Sequence, residues 1–344
     1  MKYFVGIDHG GTKSEILIGD ENGMLIDKFT DSGYTLFTTE LQEKYLKPDN
    51  LDMQAYNSEF ISKYAEQSIK YLNNILTGNN LGLSDVYALF GSMAGIDGGD
   101  FQINFETELH KKISVPNIAI RNDMYGAWRA GTNKRPSVVL AIGTGTNIMF
   151  FDENGGSTSV EKNIKYQAAL ELGWRAFWHA CYSAINWLEP TILTEKICGF
   201  AETSTIEEAL AKTNHGRNTA LSYQFFVPHV YEAAEKNDRV ALDFVNQAGI
   251  GFAECIRAGI KDFGWENREI PLVLNGGSFK GKGCVMERII KDSLLDLPNL
   301  KLFQAEYEPV YGALMLAYEK YNNGVIPKIS SKDISKLKLK RKLQ

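Results

Sequence analysis

Two short glycine turns and three aspartates are the residues of this chain best suited to chemistry. The first turn, Gly10-Gly11-Thr12-Lys13, follows Asp8; the second is Gly143-Thr144-Gly145-Thr146, and a Gly276-Gly277 pair comes later. Glycines let backbone N–H groups approach phosphate oxygens, and neighbouring Thr hydroxyls add donors, so two such turns suit a polyphosphate clamp. Neither is a Walker A loop, because G-x-x-x-x-G-K-[ST] is absent. Carboxylates beside phosphate repel it unless they serve another purpose. Asp8 could hold Mg²⁺ through water, since that ion favours oxygen ligands and keeps part of its hydration shell. Asp123, just ahead of a helical pattern, could accept the proton of an attacking hydroxyl. A plain helix N-cap is the competing reading of Asp123, a role that Asp fills well.

The elements that must position these residues show a duplication. Gly6-Ile7-Asp8-His9-Gly10-Gly11-Thr12 leads through an apolar strand to Asp20-Glu21-Asn22-Gly23, and Leu140-Ala141-Ile142-Gly143-Thr144 leads in the same way to Asp152-Glu153-Asn154-Gly155. Thr12 and Thr144 stand equally far from their D-E-N-G, about 130 residues apart, which points to two homologous domains. Between the copies, helical spacing at Ile61 to Leu76 and from Phe101 to Lys112 alternates with strands at Val86 to Phe90 and Ile118 to Ile120. A helix over Met124 to Ala130 follows Asp123. Later come an apolar stripe through Trp174, Phe177, Trp178, Cys181, Ile185 and Leu188, read as core, and a helix over Ala241 to Ala258. Pro271 to Leu274 reads as a buried strand and Gly312 to Tyr321 as the last helix. In α/β sheets ligands bind beyond the carboxyl ends of strands, where Asp8, Asp97, Asp123 and all three glycine segments fall.

Bulk properties narrow the class. A chain of 344 residues, 44% hydrophobic and 23% charged, fits two globular domains, and no stretch approaches the roughly 18 apolar residues a membrane span needs. We place the domains at 1–130 and 131–325, with the last helix able to return to the first domain. A polar rim insertion is expected at about 38–56 and a loose basic tail at 326–344. A formal charge of −5 disfavours a nucleic-acid surface. The strand-like N-terminus leaves no room for a signal peptide, and the four scattered cysteines read as thiols of a reducing compartment, so a cytoplasmic setting is expected.

Taken together, Gly6 to Ser14, Ala94-Gly95-Ile96-Asp97, Asn122 to Ala127, Ile142 to Asn147, Asn275-Gly276-Gly277 and Glu308-Pro309-Val310-Tyr311-Gly312-Ala313 resemble the BadF/BadG-type ATPase and N-acetylglucosamine kinase family of the actin, hexokinase and Hsp70 superfamily. The resemblance runs in order over roughly residues 1 to 320. It implies an α/β fold of two duplicated ribonuclease H-like (actin-like ATPase) domains with an ATP and substrate cleft between them. It also implies ATP with Mg²⁺ and a small sugar-like acceptor; a homodimer is one open assembly. Asp8 would serve the metal and Asp123 would be the base. Gly10, Gly11, Thr12, Lys13, Gly143, Thr144, Gly145 and Thr146 would take the phosphates, with Gly276 and Gly277 along the adenosine. Asp97, Asn122, Tyr34, Thr35 and Glu171 would face the acceptor. Two departures bear on that acceptor. Ser32-Gly33-Tyr34-Thr35 stands where the sugar kinases have Ser-x-Asn, and Leu170-Glu171-Leu172-Gly173-Trp174 stands for their G-D-E-G-S. An ATPase of the activator or actin-like sensory type is the alternative activity.

Overall fold

The computed structural model describes residues 1–344 except 12, 33–34, 48–49, 144, 161–169, 214–222, 280–283 and 331–344. The described residues form two compact units, one comprising Met1–Asn133 with residues 305–330, the other Lys134–Gln304.

The first unit opens with β1 (Tyr3–His9), β2 (Lys13–Asp20) and β3 (Leu25–Ser32), followed by α1 (Thr35–Tyr45) and a small pair, β4 (Leu46–Lys47) and β5 (Asn50–Leu51). Then come α2 (Met53–Gly78), β6 (Val86–Met93), α3 (Gly99–Lys112), β7 (Asn117–Asn122) and α4 (Met124–Gly131). The main sheet runs β3-β2-β1-β6-β7, antiparallel across the first three strands and parallel from β1 to β7. β1 is apolar on both faces because both are covered, as a central strand requires. On one face Ile7 joins Tyr64, Leu72 and Phe105 in the core; α2, which carries two of them, starts at Asp52, whose side chain accepts from the Ala55 N–H.

The second unit contains β8 (Ser137–Ile142), β9 (Thr146–Phe151), β10 (Ser157–Ser159), α5 (Leu170–Ala184), α6 (Ile197–Ala201), α7 (Ile206–Thr213), α8 (Val227–Glu235), α9 (Arg239–Asp262), β11 (Ile270–Asn275), α10 (Val285–Ser293) and β12 (Leu300–Gln304). Its sheet runs β10-β9-β8-β11-β12 with the same order of antiparallel and parallel pairings as the first. The repeated D-E-N-G closes both hairpins identically. Asp20 Oδ1 accepts from the N–H groups of Asn22 and Met24, and Asp152 Oδ1 from those of Asn154 and Gly156, all at 2.8–2.9 Å.

The last helix, α11 (Pro309–Tyr321), belongs to the first unit and covers the other face of β1. It comes very close: a Cβ on Gly6 would strike the Leu314 backbone, and one on Gly312 the Gly126 carbonyl of α4. Further along, Phe4 packs on Tyr318, whose hydroxyl donates to the Asp20 carbonyl at 2.7 Å.

Two expectations change. The segment 38–56, read as a polar rim, contains most of α1, whose Leu41 is fully buried in the first core. The aromatic stripe is shorter than its spacing suggested. α5 ends at Ala184, leaving Ile185 and Leu188 beyond it, and Trp174 is 45% exposed while Phe177 and Cys181 are buried. The indole at 174 occupies a helix position whose Cβ points away from the core, which apolar spacing alone does not reveal.

Candidate active site

Strand register brings the first unit's acids to one end of its sheet. Asp8 on β1 is level with Ser92 on β6, and Met93 is level with Asn122, the last residue of β7. Asp123 follows directly.

The entry into α4 is built in detail. Asn122 is buried, its Oδ1 accepting from the Met124 N–H and its Nδ2 donating to Asp97 Oδ1, both at 3.0 Å. Buried Ser92 accepts from the Gly126 N–H at 2.8 Å and donates to the Asp123 carbonyl at 3.0 Å. The first-turn donors of α4 are therefore served by Asn122 and Ser92, and the Asp123 carboxylate makes no capping hydrogen bond. Of the acceptor-facing candidates, Asp97 and Asn122 are thus in direct contact.

Asp8 lies beside Glu15, its partner across the β1–β2 pair, and α11 brings Glu308 to the same face. Glu15 is 2% exposed at its side chain and pairs with Lys13 at 2.7 Å and Lys28 at 2.8 Å. Lys28 also pairs with Glu308, and Lys13 stands 3.6 Å from it. Burial pushes the Asp8 carboxyl well above the usual carboxylate range, the nearby charges of Glu15, Asp123 and Glu308 push it further, and only Lys13 pulls it down. Such a carboxylate suits a hydrated divalent cation. A cation would relieve the repulsion, and Mg²⁺ commonly takes one or two protein carboxylates while keeping waters. Among the described residues no group of three or more His, Cys, Asp or Glu forms a protein-only metal cage.

His9, the next residue, faces the opposite side of the sheet. It is fully buried against Tyr64 and Tyr71, neither ring nitrogen has a partner among the described residues, and burial lowers its pKa to about 3. It is a neutral core imidazole.

The Gly10 N–H donates to the Lys13 carbonyl at 2.8 Å, which closes the first turn, and the Gly143 N–H donates to the Gly145 carbonyl at the same distance. A Cβ at Gly143 or Gly145 would meet nothing within 4 Å among the described residues, which leave open space over that backbone. Thr146 is buried at the start of β9. In the same unit Gly276 has φ +106° and packs on the Ile142 carbonyl, Gly277 is exposed, and the Nδ2 of buried Asn275 lacks a partner among the described residues. Glu171 is partly buried in the first turn of α5. Thr12, Tyr34 and Thr144 lie outside the described residues, as does the basic tail beyond 330, and of Thr35 the backbone begins α1.

Glu15, Lys28, Ser92 and Glu308 were not singled out as site residues from sequence. Glu15 carried a signal, a charged residue within the run that becomes a central strand. Lys28 carried none, and Glu308 stood only within the Glu308 to Ala313 stretch of the resemblance, with no sign of a pairing that spans 280 positions.

No protein-family model matches the chain. The N-acetyl-D-glucosamine kinase of Dictyostelium discoideum is 24% identical over 324 residues, covering 91% of this chain and 97% of that protein. Among solved structures, a Chromobacterium violaceum protein with a provisional N-acetylglucosamine kinase assignment superposes with a TM-score of 0.64 at 17% identity, covering 92% of this chain and 99% of its own. A ROK family glucokinase from Streptomyces griseus, solved with glucose and AMPPNP, gives 0.53 at 16% identity, covering 92% and 99%. In fold the chain is similar to these solved sugar kinases, with two α/β units. The curated relative falls on the N-acetylglucosamine kinase side of that group. No helix among the described residues is long and apolar enough to cross a membrane.

Proposed function

We propose that this protein is an ATP-dependent kinase that transfers the γ-phosphoryl group to a hydroxyl of an amino sugar of the N-acetylglucosamine class. Near end-to-end similarity to a kinase of that sugar supports the substrate class. The observation that carries the mechanism is the Asp123 carboxylate, which α4 does not use as its cap. Asn122 and Ser92 hold the surrounding backbone, so the carboxylate sits at a fixed strand end.

Asp123 takes the proton of the acceptor hydroxyl as it attacks phosphorus, a role worth about 10²–10⁴-fold in rate. Asp97 and Asn122, locked to each other, present further polar groups to sugar hydroxyls. The backbone donors of Gly10-Gly11 and of Gly143 to Gly145 bind phosphate oxygens, and Gly276-Gly277 lies along the nucleoside. Glu171 adds a carboxylate for the acceptor, and Trp174 offers an exposed ring where the sugar kinases have Ser. Asp8 would hold Mg²⁺, an ion that would supply charge neutralisation on the phosphates.

The test is a phosphotransfer screen with ATP·Mg²⁺ across N-acetylglucosamine, glucosamine, muramic derivatives, polyols and nucleosides. Sugar phosphate formed from an amino sugar is the expected product. ATP hydrolysis that no acceptor accelerates would replace this reading with that of an activator or sensory ATPase.

A further inference from the structure

Two lysines share one buried carboxylate beside the first glycine turn, and they are not equivalent. Lys13 Nζ and Lys28 Nζ lie 2.7 and 2.8 Å from the same Oε1 of Glu15, which also accepts from Thr30 Oγ1 at 3.2 Å. Lys28 is pinned a second time by Glu308 Oε2 and is 25% exposed at its side chain. Lys13 is 48% exposed, and its second contact, to Glu308 Oε1, is a long 3.6 Å. It stands at the end of the turn, where its own carbonyl holds the Gly10 N–H.

The energetic consequence follows from burial. Stripping a buried carboxylate of its only cation is strongly destabilising, so a lone Lys13 would be trapped on Glu15. With Lys28 fixed on both acids, the departure of Lys13 breaks only a half-exposed pair, which is worth little.

We propose that Lys13 is an exchangeable cation that moves from Glu15 to the phosphate oxygens of the nucleotide, and that Lys28 is the positioning residue that keeps Glu15 and Glu308 satisfied when it does. This rests on the reading of the protein as an ATP-binding enzyme. Lys28 touches no ligand; it acts by leaving Lys13 free to do so. Glu308 works in the opposite sense on Lys13, because its Oε1, 3.6 Å from Lys13 Nζ, holds that lysine back.

The experiment is calorimetric titration of the full chain with ATP·Mg²⁺ for wild type, Lys28→Met, Lys28→Arg and Glu308→Gln, with melting temperatures measured in parallel. Lys28→Met should weaken ATP binding about tenfold, the scale of one charge-assisted hydrogen bond. Lys28→Arg should restore most of it. Glu308→Gln should bind ATP several-fold more tightly, although it too removes an ion pair. A purely structural network would instead lower affinity in both variants in step with stability, and that result overturns the exchange. So does wild-type affinity in a folded Lys28→Met. If Lys28→Met does not fold, Glu308→Gln decides alone: unchanged or weaker binding overturns the proposal. Failure of the wild type to bind ATP would strike the enzyme reading itself, whereas wild-type binding with unresponsive variants strikes only the exchange.

Discussion

The β2–β3 and β9–β10 turns are closed by the same aspartate hydrogen bonds, yet the β1–β2 and β8–β9 hairpins ahead of them carry side chains that differ in kind. Matched through Thr12 and Thr144, the first hairpin's Asp8, His9 and Glu15 correspond to Leu140, Ala141 and Asn147 in the second. Asn147 accepts from the Ser159 hydroxyl at 2.8 Å, much as Glu15 accepts from Thr30, but its neutral amide carries no charge with which to hold a lysine. One frame thus carries two chemistries. The charged copy gathers acids and lysines suited to a cation and a proton, while the neutral copy offers backbone donors over open space. Duplication set the hydrogen-bonded scaffold, and side-chain identity on one strand face divided the work.

The contrast can be broken most severely at the glycines of the neutral copy. Gly276→Val forces a β-branched residue to φ +106° and drives its Cβ into the Ile142 carbonyl, so it should cost about 3 kcal/mol or more in a denaturant titration. Next in size is acid sensitivity, which should belong to the charged copy. His9 is held neutral with a pKa of about 3, whereas an unfolded His titrates near about 6.5. Its stabilising neutrality is intact above the unfolded value and is lost progressively as pH falls from there towards 3. Amides of the first unit should therefore lose hydrogen-exchange protection before those of the second on acidification, and His9→Phe should delay that loss. Equal loss in both units would remove His9 as the cause.

Asp8 gives the opposite sign. Its folded pKa is raised, so the fold gains from a neutral group at this position and loses stability as pH climbs through the raised value. Asp8→Asn should melt higher than wild type at neutral pH, with the gain vanishing below about pH 4, and should demand more Mg²⁺ for activity. A variant that melts lower at neutral pH would contradict the crowding of charge described here. Gly143→Val should have the smallest effect. Its Cβ meets nothing within 4 Å among the described residues, so the melting temperature should hold while ATP affinity falls about tenfold by calorimetry. Unchanged affinity would take that turn out of the nucleotide site.

Much of this arrangement was legible in the sequence where the signal was local. The paired D-E-N-G turns, the strand-end positions of Asp8 and Asp123 and the helix after Asp123 all follow from short-range pattern. α1 was hidden because Glu40, Gln42, Glu43 and Lys44 surround its fully buried Leu41, so the segment reads as polar. The ion network stayed invisible for a different reason. Lys28 and Glu308 meet only because Gly6, Gly126 and Gly312 let α11 settle against β1 and α4, and sequence spacing does not encode that approach.

The claim at the centre of the account is that the charged copy does chemistry and does not merely cap a helix. Turnover of Asp123→Asn with N-acetylglucosamine as acceptor, measured alongside its ATP affinity, tests this most directly. Asn keeps the shape and a hydrogen-bonding amide but cannot accept the proton, and α4 retains its Asn122 and Ser92 contacts. The account predicts a fall in turnover of about 10²–10⁴-fold with ATP affinity within a few-fold of wild type. Near wild-type turnover would contradict it and send the search for the base to Asp97 or Glu171.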